Sequence, residues 1–375
     1  MSCSMKDYLT IITPHLHSDL VSSEALSHIQ SLTQILPPSS VAGFECRLGA
    51  NQSGVDFQVR LPCLEQNLPE SFLTAPAWQF LQDFYQNWAS PNSSLHQEIE
   101  NIGLEFDVNG QLPQVPIPCI FLKFNRETVI DVQSLIKMTT RLLKPSVSSL
   151  LESNLRRCAD SLPTGATISH LGAMLSRRAN AVRVNVKGIS PEQLSDYLMQ
   201  IGWTDSTNTF STLVLTLSEF VDSILLSFDV SDTVLPRIGL ECFLNNQPFE
   251  EPHEEPRWQI FLDYLVQGGL CTPAKKNAFL AWAGLSDKSS FPDLWPSNIS
   301  FGDRFLGSKA FSIFWRNISH IKLVYQSGTP LEAKGYLAFG HSWFAPDVLN
   351  KKEQKTEDFN GNNLPISDTT QAIVS

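Results

Sequence analysis

The stretch GFECRLGANQSGVDFQVRLP (43–62) decides the fold. In its second half Val55, Phe57 and Val59 alternate with Asp56, Gln58 and Arg60, a period of two that sends successive side chains to opposite faces of a strand. The GANQSG between the halves is turn chemistry, so the segment predicts a β-hairpin with one apolar and one polar face.

Four more segments carry the same signature: 102–124, 166–188, 223–244 and 318–339. Between them lie helical patterns, mostly in pairs. SPEQLSDYLMQIGW is the clearest, with Ser190, Pro191 and Gln193 opening it, a stripe of Leu194, Tyr197, Leu198 and Ile201, and Gly202 closing it. Others open at Thr74-Pro76, Pro256 and Thr272-Pro273, or run over 22–36, 129–143, 146–159 and 210–221. Hairpin starts recur about every 55–65 residues, except a last interval longer by about thirty (roughly 285–316), and such a period marks one unit used repeatedly. Ten sequential antiparallel strands lose their edges only by closing on themselves. The expected fold is therefore α+β: a ten-stranded antiparallel β-barrel of five ααββ repeats, helices outside. The domain reading is an N-terminal segment 1–19, a single barrel domain 20–344, and a tail 345–375 with no apolar period, expected to be disordered.

Composition narrows the function. A chain of 375 residues, 42% hydrophobic and 17% charged, can bury a large core. Its net charge of −11 argues against counterion-driven binding to nucleic acid or an anionic membrane. Seven cysteines without CxxC spacing argue against a disulfide framework or structural zinc and fit a reducing cytoplasm. The N-terminus lacks the pattern of an export signal, and the most apolar stretch is broken by Glu219 and Asp222. A monomer is expected.

If the apolar strand faces meet the helices, the polar faces meet the lumen. That set is Arg47, Arg60, Lys123, Arg183, Lys187, Arg237, Lys322 and Lys334 against Glu45, Asp56, Glu105, Asp107, Asp229 and Glu241. Two readings stay open: an anion site built from Lys and Arg without metal, or a network of internal ion pairs, with some residues turned to solvent. His15, His17 and Asp19 have no partner cluster and predict no metal site; Arg177-Arg178 lies in a hairpin turn and reads as solvated. Trp78, Tyr85 and Trp88 read as core, and no Gly-rich phosphate loop, GxSxG elbow or HExxH occurs.

The ααββ order over 20–344, with the FECR, VRL and KGY strands, resembles the ABBA, or PT-barrel, aromatic prenyltransferases, nearest their dimethylallyltryptophan synthase and cyanobactin peptide prenyltransferase branches. The resemblance implies a metal-independent enzyme without a cofactor, its co-substrate an allylic diphosphate and its acceptor an indole or phenol, free or within a peptide. DDxxD motifs are typically absent from that family, as here. Glu45 stands where the family's acidic residue holds the acceptor's N–H, and Arg60 where an arginine meets the diphosphate. Lys334-Gly335-Tyr336 matches the Lys-x-Tyr pairs that complete the diphosphate cage, and Tyr336 would shield the cation. Lys123, Arg183, Lys187, Arg237 and Lys322 fill out the expected diphosphate set. RIGLECF departs from the pattern, offering Arg237 and then Gly239 and Glu241, so an acidic group stands beside the expected anion. The alternative is a non-catalytic barrel that binds a small molecule or peptide.

Overall fold

Alternation dictates the sheet, and the computed structural model realises it. It describes residues 4–61, 72–108, 115–125, 130–143, 147–177, 180–205, 208–244 and 255–344; the turn 109–114 of the second hairpin, Arg178 and the tail 345–375 lie outside the described residues. The chain runs α1 (Met5–Ile12), α2 (Ser23–Thr33), β1 (Val41–Arg47), β2 (Val55–Leu61), then α3 (Pro76–Ala89), α4 (Ser94–Glu98), β3 (Ile99–Asp107), β4 (Cys119–Phe124). It continues α5 (Val132–Leu143), α6 (Ser149–Asp160), β5 (Thr167–Ala173), β6 (Val182–Lys187), then α7 (Pro191–Gln200), α8 (Asn208–Ser218), β7 (Ser223–Val230), β8 (Val234–Phe243). The last unit is α9 (Arg257–Gln267), α10 (Pro273–Leu280), β9 (Gly284–Ser286), α11 (Ser297–Leu306), β10 (Phe311–Tyr325), β11 (Glu332–Phe344).

Ten strands follow one another antiparallel around a ring, and β11 returns to β1, pairing from Val41 opposite Gly340 to Arg47 opposite Lys334. The three-residue β9 pairs with the first part of β10, outside the ring. It belongs, with α11, to the long last interval that the period singled out.

The outer faces of the strands carry the core. Phe44 is fully buried and meets the rings of Phe57, Phe339 and Trp282. The Trp282 indole N–H bridges the carbonyls of Asn317 and Ala338, tying α10's end to β10 and β11. Close approach at the seam requires glycine at 43, since a Cβ there would lie 2.5 Å from the Leu337 carbonyl oxygen. The β1–β2 turn is held from outside. Buried Lys275, on α10 behind its Thr272 cap, donates to the carbonyls of Arg47 at 2.8 Å, Gly49 at 2.9 Å and Gln52.

The N-terminal segment, which composition sets apart, supplies α1, and α1 buries Met5, Leu9, Ile11 and Ile12 in the same apolar core as the barrel. With α1 counted, each hairpin follows its own helix pair. A core leucine cut to alanine loses both transfer energy and packing, so Leu9→Ala should destabilise the whole chain by about 2–5 kcal/mol. Urea unfolding followed by tryptophan fluorescence checks this; an unchanged midpoint would mean that α1 is not part of the folding unit.

Candidate active site

The hairpin registers place the polar residues, and they fall into two groups, at different levels along β2 and β3, that give the lumen two differently charged sides. On the first side Glu45 faces Asp56 across β1–β2, Asp56 faces Asp107 across β2–β3, and Glu45 faces Tyr336 across the seam. Like charges directly opposite repel, so these carboxylates need cations. Glu45 Oε1 accepts from Arg47 Nη1 and Lys334 Nζ, each at 2.6 Å, and its Oε2 accepts from the Tyr336 hydroxyl. Arg47 Nη2 donates to Asp56 Oδ2 at 2.8 Å, and Gln58 donates to Glu105 at 2.8 Å.

Arg177 is exposed, as the turn composition suggests, but it is also ion-paired. The 3₁₀ turn Leu175–Arg177 folds back over the mouth of β3–β4, and the guanidinium reaches Asp107 at 2.5 Å and Glu105 at 3.5 Å, with Ser176 Oγ on Asp107 at 2.9 Å.

Environment splits these acids. Burial works against the Glu45 carboxylate, but Lys334 and Arg47 outweigh it and hold its pKa well below the usual range. Asp56 goes the other way: burial and then the charge of Glu45 outweigh Arg47 and push it to about 7. Glu105 is raised for the same two reasons. One oxygen from each of Glu45, Asp56 and Glu105 lies within 4.8 Å of the others, a spacing that suits a cation, but Arg47 and Lys334 already sit on this group.

The second side is rich in donors. Asn101, Gly103 and Glu105 alternate along β3; Arg60 lies opposite Gly103 and Lys123 opposite Asn101, so Arg60, Asn101 and Lys123 share one patch of the inner face. Lys123 holds Glu100 at 3.0 Å. Arg60 is half-buried and carries no ion pair among the described residues, although Glu100 acts on it electrostatically, and burial lowers its pKa. The Asn101 amide nitrogen is buried without a hydrogen-bond partner among the described residues. His170, Asn185 and Ser227 continue the row opposite Lys123 through β5, β6 and β7.

Further round, Lys322 donates to Ser227 at 3.0 Å and to Glu241 at 2.9 Å. Glu241 therefore does not point away from the expected anion residues; it neutralises one of them. The His320 ring stacks on Tyr336 with centroids 3.9 Å apart and lies 4.7 Å from Phe243. Burial pulls His170 and His320 down to about 4, so both are neutral at pH 7.

The expected eight-residue diphosphate set is thus not one cluster. Lys334 and Tyr336 are engaged on Glu45, Lys322 on Glu241, and Arg183 makes a two-pronged pair with Asp229 at 2.8 and 3.0 Å. Arg237 sits half exposed, bonded to Glu332 at 2.8 Å, because β8 runs out to solvent at Pro236 and Arg237. Lys187, exposed at the end of β6, lines a cavity of about 340 Å³ with Phe124, Ile168 and Ser169, near α5 and α6. Glu45 pairs with Arg47 rather than Arg60. Asn101, Ser176 and the pairing of Arg177 with Asp107 and Glu105 are additions; the alternation of Glu105 and Asp107 extended two steps back along β3 reaches Asn101.

Neither a protein-family model nor a curated protein matches the sequence. Solved structures do match the fold. The chain superposes on 6-dimethylallyltryptophan synthase from Micromonospora olivasterospora, in complex with DMASPP and Trp, with a TM-score of 0.51 at 12% identity, covering 90% of this chain and 97% of that one. It superposes on AnaPT from Neosartorya fischeri with a TM-score of 0.51 at 14% identity, covering 91% and 93%. The apo form of the prenyltransferase PriB gives 0.50 at 12%, covering 89% and 93%. A closed ring of ten antiparallel strands inside a layer of paired helices, shared with these three over nine-tenths of the chain, makes this the PT-barrel fold of the ABBA aromatic prenyltransferases.

Proposed function

We propose that this protein transfers an allylic isoprenoid from its diphosphate to an aromatic acceptor inside the barrel, without a metal. One observation carries the reading: Arg60, a half-buried lumen cation without an ion pair among the described residues, stands beside the unpartnered buried amide donor of Asn101 and beside Lys123. Buried donors left unsatisfied cost free energy, and an anion repays it.

The chemistry suits a lumen with two sides. On the donor side, Arg60, Asn101 and Lys123 hold the diphosphate; the bond from its oxygen to the allylic carbon breaks, and the electron pair leaves with the diphosphate. The Tyr336 and His320 rings flank the lumen and keep water from the cation. On the acid side, Glu45 accepts a hydrogen bond from the acceptor's N–H or O–H and steadies the positive charge on the ring as the new carbon–carbon bond forms. Held so firmly ionised, Glu45 orients the acceptor better than it keeps a proton.

A second reading is favoured by the pairing itself. Lys123, Arg183, Lys322 and Lys334 each already hold a carboxylate, as expected of a barrel that binds a ligand without chemistry. Calorimetry separates the two. With dimethylallyl diphosphate in EDTA we expect binding that Arg60→Ala and Lys123→Ala each weaken by roughly tenfold, the loss of one charge-assisted contact. No binding of dimethylallyl or geranyl diphosphate would leave the non-catalytic barrel as the better account.

Glu45→Gln keeps shape and removes charge. It should lower turnover by roughly 10²-fold and leave diphosphate affinity unchanged, because the donor patch lies on other strands. A variant with a lower melting temperature but wild-type turnover per folded molecule would make Glu45 purely structural.

A further inference from the structure

Asp56 is the most enclosed ionisable group of the lumen, with no exposed surface. Its Oδ2 accepts from Arg47, while its Oδ1 has no hydrogen-bond partner among the described residues. The groups facing it are Glu45 and Arg47 from β1, Glu105 and Asp107 from β3, Lys334 and Tyr336 from β11, and Arg177 from the turn after β5. Arg183, on β6, acts on Glu105 electrostatically but is committed to Asp229. Among the described residues, four carboxylates, Glu45, Asp56, Glu105 and Asp107, therefore meet three cations, Arg47, Lys334 and Arg177.

An uncompensated charge in a buried site is removed most cheaply by a proton. We propose that Glu45, Asp56 and Glu105 share one proton that rests on Asp56, and that Asp56, through Glu45, takes up the proton the acceptor ring releases after transfer. The first half stands on the charge count and the bare oxygen; the second rests on the prenyl-transfer reading. For that step Asp56 first releases its resting proton; the ring C–H bond then breaks, its electron pair restores aromaticity, and the ring's proton passes to Glu45 and on to the now ionised Asp56. Nothing is oxidised or reduced. Asp56 acts as a positioning and proton-holding residue behind Glu45, and its rise to about 7 suits a group that must gain and lose a proton near neutral pH.

Infrared spectroscopy of the full chain without ligand reads the proton directly. The expected result is a protonated-carboxyl C=O band that disappears with a midpoint near pH 7 and is absent from Asp56→Asn. No such band between about pH 5 and pH 9, or one that survives in Asp56→Asn, overturns the proposal. Should Asp56→Asn fail to fold, Glu105→Gln serves: removing a like charge should move the midpoint to lower pH, and an unmoved midpoint counts against the sharing. Stability carries the same signature. Asp56 titrates near 3.8 when unfolded and about 7 when folded, so its contribution is fully present below 3.8 and is lost as pH rises through 7; Asp56→Asn should flatten that fall. Turnover tests the second half, since the acid limb of kcat should shift with Glu105→Gln; a limb that stays put removes Asp56 from the proton path. A chain that binds no allylic diphosphate yet shows the band keeps its proton and loses the prenyl-transfer reading.

Discussion

Closure of β1 on β11 is the contact on which the rest depends. It removes the last free edge of a ten-stranded sheet, and the same register sets Glu45 against Tyr336 and Arg47 against Lys334. A seam slipped by one residue would turn each of these side chains to the opposite face, exchanging polar lumen for apolar core. Burying charge is costly, so once the seam is in register each carboxylate inside must find a cation or a proton. The ion pairs of the lumen follow from closure.

Those pairs give the two sides of the barrel different chemistry. Around Glu45, Asp56, Glu105 and Asp107 acids outnumber cations, while farther along β2 and β3, beside Lys123, Arg60 has no ion pair and the Asn101 amide no hydrogen bond among the described residues. Two carboxylates in adjacent strands end with opposite tendencies, Glu45 held ionised by two cations and Asp56 pushed toward its neutral form. Splitting like groups by environment is how one site comes to hold both a fixed charge and a mobile proton.

Much of this was legible in the chain. Alternation in VDFQVRL and VRVNVK identifies which residues face inward, because a strand's period of two leaves only one parity to choose and the apolar set chooses it. Caps such as Ser190 and Thr272 mark the helices. The partners were not legible. Lys334 meets Glu45 across 289 residues and Arg177 folds back onto Asp107 from a turn, and neither distance is written in local pattern. Helix α1 escaped because its segment is short and lacks a strong stop before the 3₁₀ turn at Thr13–His15. Asn101 escaped because it precedes the apolar run that marks its strand.

The central claim is that the lumen's donor side receives a diphosphate. A crystal structure with a thiolodiphosphate analogue of the allylic donor, grown in EDTA, tests it most directly. The account predicts both phosphates inside the barrel, within hydrogen-bond distance of Arg60, Asn101 and Lys123, and the allyl chain directed toward Tyr336 and Glu45. An analogue bound outside the ring of strands, or a lumen with every ion pair intact and no anion at saturating concentration, would contradict it.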